Sequence, residues 1–271
     1  MKFTKMHGLG NDYLYFYQEV PENVQALAIR LSNRHFGAGS DGLIFITRSD
    51  CADFRMRIFN ADGSEAKMCG NGIRCVGKYV YDKGFIDRKK LSIETLSGIK
   101  ILELHTANGQ VKTVTVEMGQ AVVGEEQILH IQNREISYMP VSVGNPHAVI
   151  FVPDVSEVPL FELGPLIERH EAFPGGVNVE FVEKTTENTL RMRVWERGSG
   201  ITMACGTGAC ASAAAAVRKG FIKAGTPTRV ILDGGTLVIT VNRDGRVTMN
   251  GPAETVYEAE TPITDEEGMV R

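Results

Sequence analysis

The sequence predicts an α+β protein of two pseudo-symmetric domains from an internal duplication, each with many β-strands wrapped around a central α-helix. Three observations lead there. The 33 residues Phe54 to Ile86 (FRMRIFNADGSEAKMCGNGIRCVGKYVYDKGFI) align without a gap on Leu190 to Ile222 (LRMRVWERGSGITMACGTGACASAAAAVRKGFI), at a constant offset of 136 (205 − 69). Ten of the 33 pairs are identical, where unrelated segments of average composition would share about two. Short apolar runs with turn signals between them recur through both copies. Each copy also holds one sustained helical pattern, directly after Cys-Gly-x-Gly.

The elements follow in order. Leu9-Gly10-Asn11 opens a strand from Tyr13 to Tyr17, and Val143-Gly144-Asn145 opens its echo from Ala148 to Val152. A helix is expected over 22–33 (ENVQALAIRLSN), with a weaker counterpart over 158–169 behind Pro159 and Pro165. Arg34-His35, Phe36 and Gly39 precede a strand from Leu43 to Ile46; Arg169-His170, Phe173 and Gly176 precede one from Val179 to Val182. The main helices run from Ile73 to about Tyr81 and from Ala209 to about Arg218, each closed by Lys-Gly, where glycine suits the left-handed cap. The second (ACASAAAAV) is small and apolar nearly all round, the pattern of a buried helix. Ile99 to Leu104, Asn108-Gly109 and Val111 to Val116 read as a hairpin, repeated by Leu237 to Val241, Asp244-Gly245 and Val247 to Met249. The repeat is far too long for a solenoid. It divides the chain into halves at 1–118 and 119–253.

Composition limits the function. A chain of 271 residues with 43% apolar and 23% charged residues can build two globular cores. A net charge of −4 without a basic stripe argues against a nucleic-acid partner. The opening MKFTKMHGLGNDY lacks the apolar stretch of a signal peptide, and no apolar run approaches the roughly 18 residues of a membrane span. Five cysteines in no dense framework suit free thiols in a reducing cytoplasm.

Two of those thiols carry the chemistry. Cys69 and Cys205 each precede a helix and are followed by Gly-x-Gly, which lets backbone N–H groups converge at the helix N-terminus. That positive end is expected to make both thiols more easily ionised than a free one. A zinc site is the rival, but Cys69 and Cys75 are six residues apart, and at about 100° per residue neither Cys75 nor Cys210 converges on its partner thiol. Cys51, Cys75 and Cys210 are expected to be packing residues, and no metal is expected. One thiol per half suits a substrate lying between the domains. A thiolate on one face of a carbon and a thiol on the other invert a stereocentre.

The halves differ where a site would be. Asn60 corresponds to Glu196, Ala61 to Arg197, Asn71 to Thr207, Tyr13 to His147 and Asp41 to Asn178. His147 and Glu196 are candidates to relay or tune protons near Cys205. Taken singly, Asn60 also reads as a turn residue, and Glu196 with Arg197 as a solvated pair.

KMHGLGNDY (5–13), RIFNADGSEAKMCGNGIRC (57–75), GNPHAV (144–149), ERGSGITMACGTGAC (196–210) and GP (251–252) together resemble the diaminopimelate epimerases, cofactor-independent racemases of lysine and peptidoglycan precursor biosynthesis. The resemblance covers nearly the whole chain. It implies two pseudo-symmetric domains with the active site in the cleft between them, and a C-terminal strand within 254–271 that joins the first half. It implies Cys69 and Cys205 as the acid/base thiols, with His147 and Glu196 as catalytic helpers. The reacting carboxylate would be held by Gly70, Asn71, Gly206 and Thr207, and the rest of the substrate by Asn11, Asn60, Asn145, Asn178, Glu196 and Arg197. Some members use a glutamine where this chain reads Asp41-Gly42-Leu43, so only backbone is available at Gly42. The implied substrate is diaminopimelate, with no cofactor, no nucleic acid, no membrane and room for a homodimer. Alternatives are another cofactor-independent amino-acid racemase of the same fold, a phenazine-type isomerase, or a non-enzymatic thiol redox sensor.

Overall fold

The computed structural model describes residues 1–262. The chain forms two compact units, Met1–Val116 with the segment from Pro252 onward, and Glu117–Gly251. Residues 263–271 of the C-terminal segment lie outside the described residues.

In the first unit, Lys2–Gly8 pairs antiparallel with Asn11–Tyr17 and with Glu254–Glu260. Asn11–Tyr17 runs parallel to Gly42–Thr47, and the crossover is helix α1, Val24–Ser32. The sheet continues through Phe54–Asn60, Lys90–Thr95 and Gly98–Ala107 to Gln110–Gln120. The last turn is Asn108-Gly109, both at positive φ (53° and 76°), the conformation that the Asn-Gly signal demands. Every residue of Gly42–Thr47 is buried, because helices cover both faces. Leu43 and Phe45 join Leu27 and Leu31 of α1 in one core, while Ile44 points the other way, toward helix α2, Gly70–Asp82. Buried from Gly70 to Val80, α2 packs against Lys2–Gly8, Asn11–Tyr17 and Gly98–Ala107.

The second unit repeats the pattern. Pro146–Phe151 runs parallel to Asn178–Thr186, with helix α3, Leu160–Glu168, as the crossover. Thr189–Glu196, Thr228–Leu232, Gly235–Val241 and Arg246–Pro252 extend the sheet. Helix α4, Gly206–Arg218, packs against seven strands, from Val122–Val123 to Gly235–Val241. Its alanines let those strands approach closely. This is the expected α+β class, with strands wrapped around one central helix per unit.

Boundaries shift for local reasons. α2 and α4 start three residues before the expected Ile73 and Ala209, because a cysteine cap stabilises a first turn that holds two glycines. α3 starts at Leu160 rather than 158, with Pro159 at its cap. The preceding residues form a separate 3-10 turn, Val155–Glu157, closed by Asp154 accepting the Ser156 N–H at 2.8 Å.

Candidate active site

Each thiol caps its helix. Cys69 and Cys205 have extended backbones (φ −135°, ψ 117° and φ −116°, ψ 109°) that turn the side chain back over the first turn. Cys69 Sγ accepts the Gly72 N–H at 3.3 Å, and Cys205 Sγ accepts the Gly208 N–H at 3.4 Å. A helix's first N–H groups lack intrahelical acceptors, so the sulfur occupies an electropositive end.

Around Cys69 stand two side-chain amides and a buried phenol. The thiol donates to Asn11 Oδ1 at 3.4 Å, and Asn71 Nδ2 donates to the same oxygen at 3.3 Å. Asn11 is oriented in turn by Asp41, whose Oδ2 accepts Asn11 Nδ2 at 2.8 Å and the Asp12 N–H at 3.0 Å. Tyr13 lies beside this cluster. Burial pushes its phenol well up, and the charge of Cys69 adds to the effect.

Around Cys205 the groups are ionisable. Thr207 Oγ1 lies 3.6 Å from the sulfur and accepts Asn145 Nδ2 at 3.3 Å. Asn145 Oδ1 is 3.0 Å from His147 Nε2, and His147 Nδ1 is 2.7 Å from Glu180 Oε1. Glu196, half-buried, is hydrogen-bonded by the Thr202 hydroxyl, yet burial still raises its carboxyl above the ordinary range. Asn178 links two turns, accepting the Arg197 N–H at 3.0 Å and donating to Pro146 O at 3.1 Å. The Arg197 guanidinium is exposed and donates to Gly175 O at 3.0 Å.

Within the first unit, the structure brings Asn11, Gly70 and Asn71 to Cys69. Asn60 stands apart, with its amide donated to Ser64 Oγ at 3.1 Å in the following turn. Within the second, Gly206, Thr207, Asn145, His147 and Glu196 surround Cys205, with Asn178 at the start of its strand and Arg197 in the turn hydrogen-bonded to it. Among the described residues, no group of three or more His, Cys, Asp or Glu is placed to hold a metal ion.

Three expectations are corrected. The Cys205 thiol is pushed well above its ordinary value, not below it. Burial contributes most and the nearby Glu196 and Glu180 carboxylates add to it, outweighing the helix end. Cys51 is exposed in the bend before Phe54–Asn60, whereas Cys75 and Cys210 are buried as expected of packing residues. The parallel registers pair Tyr13 with Gly42 and His147 with Asn178, so the counterpart of Asn178 is Gly42 and not Asp41. The same register makes Ile44 the counterpart of Glu180, a residue that the motifs did not single out.

That difference has a consequence at the glycines over the sulfurs. A Cβ on Gly72 would come 2.6 Å from Ile44 Cδ1, the free end of a flexible side chain. One on Gly208 would come 2.7 Å from Glu180 Oε1, which His147 pins, and 3.2 Å from Cys205 Sγ. Gly208→Ala is therefore expected to cost about 1–3 kcal/mol, and Gly72→Ala clearly less. Urea denaturation of the two variants checks this, and equal losses would show that Glu180 is free to move aside.

The comparisons agree with these motifs. The family described as diaminopimelate epimerase matches residues 3–124 and 139–256. The chain belongs to the diaminopimelate epimerase family. It is 50% identical over 279 residues to a diaminopimelate epimerase of Methanococcus maripaludis strain C5, covering 97% of this chain and 100% of that one. It is 52% identical over 276 residues to the enzyme of Phocaeicola vulgatus, covering 96% and 98%. Membership makes the chain an isomerase. At the level of fold alone, it resembles a probable proline racemase from Agrobacterium radiobacter K84 (TM-score 0.76, 16% identity, covering 98% of this chain and 94% of that one). A hydroxyproline epimerase from Agrobacterium vitis is similar (TM-score 0.72, 18% identity, covering 96% and 91%). Among the described residues, no helix is long and apolar enough to cross a membrane.

Proposed function

We propose that this chain converts LL-2,6-diaminopimelate to the meso isomer by two-base proton transfer between Cys69 and Cys205, with no cofactor. The observation that carries the reading is the paired capping thiol, present at equivalent helix starts in a chain half identical to diaminopimelate epimerases. The Cys69 thiolate removes the α-proton and becomes a thiol. The Cys205 thiol gives its proton to the opposite face of the same carbon and becomes a thiolate. The reverse reaction exchanges the roles. Burial and two carboxylates keep resting Cys205 protonated, which suits the donor.

The α-proton of an amino acid is far less acidic than a thiol, and each unit of pKa mismatch is worth about 1.4 kcal/mol. The first-turn N–H groups at Gly70-Asn71 and Gly206-Thr207 offset this by stabilising the developing negative charge on the reacting carboxylate. In this reading His147 and Glu196 tune Cys205, while Asn11, Asn60, Asn145, Asn178 and Arg197 hold the rest of the substrate. Asn60 then has to leave Ser64, and the exposed Arg197 guanidinium, which donates to Gly175 O, meets a distal carboxylate. We place the protein in the cytoplasm, where free thiols persist, acting in lysine and peptidoglycan precursor synthesis; a homodimer is compatible with this role.

The test is chiral chromatography after incubation with LL-diaminopimelate, meso-diaminopimelate or L-proline. Interconversion of the diaminopimelates is expected, undiminished by a chelator. Racemisation of proline without turnover of diaminopimelate would favour the fold-level relatives instead. No turnover of any amino acid, with reversible thiol oxidation, would favour a sensor.

A further inference from the structure

Glu180 is the charged residue at the centre of the second unit that the scheme above does not use. It is the third residue of Asn178–Thr186 and its side chain is fully buried. Strand alternation sends Val179 and Phe181 into the core beside Leu160 and Ile167 of α3, and sends Glu180 to the opposite face, beneath Gly208. A carboxylate removed from water is strongly unfavourable unless a cation pairs with it. His147 is in place, equally buried, with Nδ1 at 2.7 Å from Glu180 Oε1. Glu180 Oε2 has no hydrogen-bond partner among the described residues, which leaves the ion pair as its compensation.

The second ring nitrogen of His147 completes the case. Nε2 lies 3.0 Å from Asn145 Oδ1, while the same amide donates through Nδ2 to Thr207 Oγ1. Both ring nitrogens thus face oxygen atoms, an arrangement that an imidazolium, with a donor at each nitrogen, satisfies. The titratable groups around it are Glu180, Glu196 and Cys205, from two strands and the start of α4. The first unit has no such pair, because Tyr13 and Ile44 occupy the equivalent places.

We infer that Glu180 is a positioning residue for the Cys205 half of the reaction, holding His147 as an imidazolium that fixes Asn145 and Thr207 beside the sulfur. The inference rests on the proposed epimerase reading and deepens it. Cys205 becomes a thiolate when it delivers its proton, and the cation kept nearby by Glu180 offsets that new charge among two carboxylates. In the Cys69 half, the Tyr13 phenol and Ile44 stand where the second half has His147 and Glu180.

The test combines ¹⁵N-histidine NMR of the resting protein at about pH 8, above the ordinary imidazole range, with diaminopimelate kinetics. His147→Gln assigns the resonance. In the wild type, both His147 nitrogens are expected to be protonated. In Glu180→Gln, which keeps the shape and an acceptor oxygen, the ring is expected to be neutral, with kcat lower by about 10²-fold and KM little changed. Glu180→Asp should keep the cation and regain part of kcat. A neutral His147 in the wild type would overturn the inference, and so would Glu180→Gln with an unchanged ring or wild-type kcat. If Glu180→Gln fails to fold, the wild-type resonance and the Glu180→Asp kinetics decide. The NMR signature does not depend on turnover, so an inactive wild type with a cationic His147 would contradict the proposed function and not the ion pair.

Discussion

Replacing either Cys69 or Cys205 by alanine is expected to lower epimerisation by at least about 10³-fold, because a site with one base cannot complete an inversion. Each sulfur is also a helix cap, holding the N–H of Gly72 or Gly208, and loss of a cap costs about 1 kcal/mol. Serine separates the two roles. Cys69→Ser and Cys205→Ser keep a capping acceptor and the fold, yet an alcohol is far too weak an acid to serve as the base, so activity should stay lost. Cys75→Ala and Cys210→Ala change buried side chains within the helices, past the capping turns, and should retain catalysis in the folded fraction. The measurement is kcat alongside circular dichroism for the six variants. A folded Cys75→Ala without activity, beside an active Cys205→Ala, would contradict the assignment of the thiols.

A second large effect is expected at alkaline pH. Cys75 is fully buried and its thiol is pushed up to about 11, mainly by burial. Burial likewise raises Cys205 and the phenols of Tyr13 and Tyr15 well above their ordinary values. The sign follows from proton counting. For an acid with a raised folded pKa, the folded state keeps its proton where the unfolded chain has lost it. The stabilisation is full below the unfolded pKa and disappears as pH rises toward the folded one. For Cys75 the window runs from about 9 to about 11, or about 3 kcal/mol at 1.4 kcal/mol per unit. Cys205 and the tyrosines extend the loss further up. Urea unfolding at pH 7, 9 and 10.5 should show stability falling steeply above pH 9. Cys75→Ala should be less stable at pH 7 but lose less between pH 9 and 10.5. Parallel pH profiles for the two proteins would contradict this account of Cys75.

Much of this was legible in the sequence, and the remainder has physical reasons. The duplicated Cys-Gly-x-Gly announced two capped helices, and the alternating apolar runs announced the strands that wrap them. Local signals sufficed there, because capping and strand alternation act over a few residues. The electrostatics of Cys205 were not legible. The helix end favours a thiolate, but desolvation by the folded core, with the Glu196 and Glu180 carboxylates packed nearby, decides the opposite. Glu180 was hidden because Val-Asn-Val-Glu-Phe reads as a strand whose glutamate faces water, and only the tertiary packing of α4 covers that face. A signal existed: at the constant offset of 136, Glu180 stands where the first half has Ile44. A charge that replaces an isoleucine inside a duplicated core strand marks a place where the two halves work differently. Asn60 and Arg197 owe their candidacy to the family resemblance, since their contacts in this structure are those of turn residues.

The central claim is that two thiols serve opposite faces of one carbon. It is tested most directly by following LL-diaminopimelate in heavy water at initial rates, with NMR and mass spectrometry of both isomers. Removal by one sulfur and return by the other require each new meso molecule to carry one deuterium, at the inverted carbon alone, while the remaining LL isomer stays unlabelled. Meso product that keeps the substrate's own α-hydrogen, or LL isomer that gains label as fast as meso forms, would mean that one base serves both faces. Either result would contradict the assignment of Cys69 and Cys205 to opposite sides.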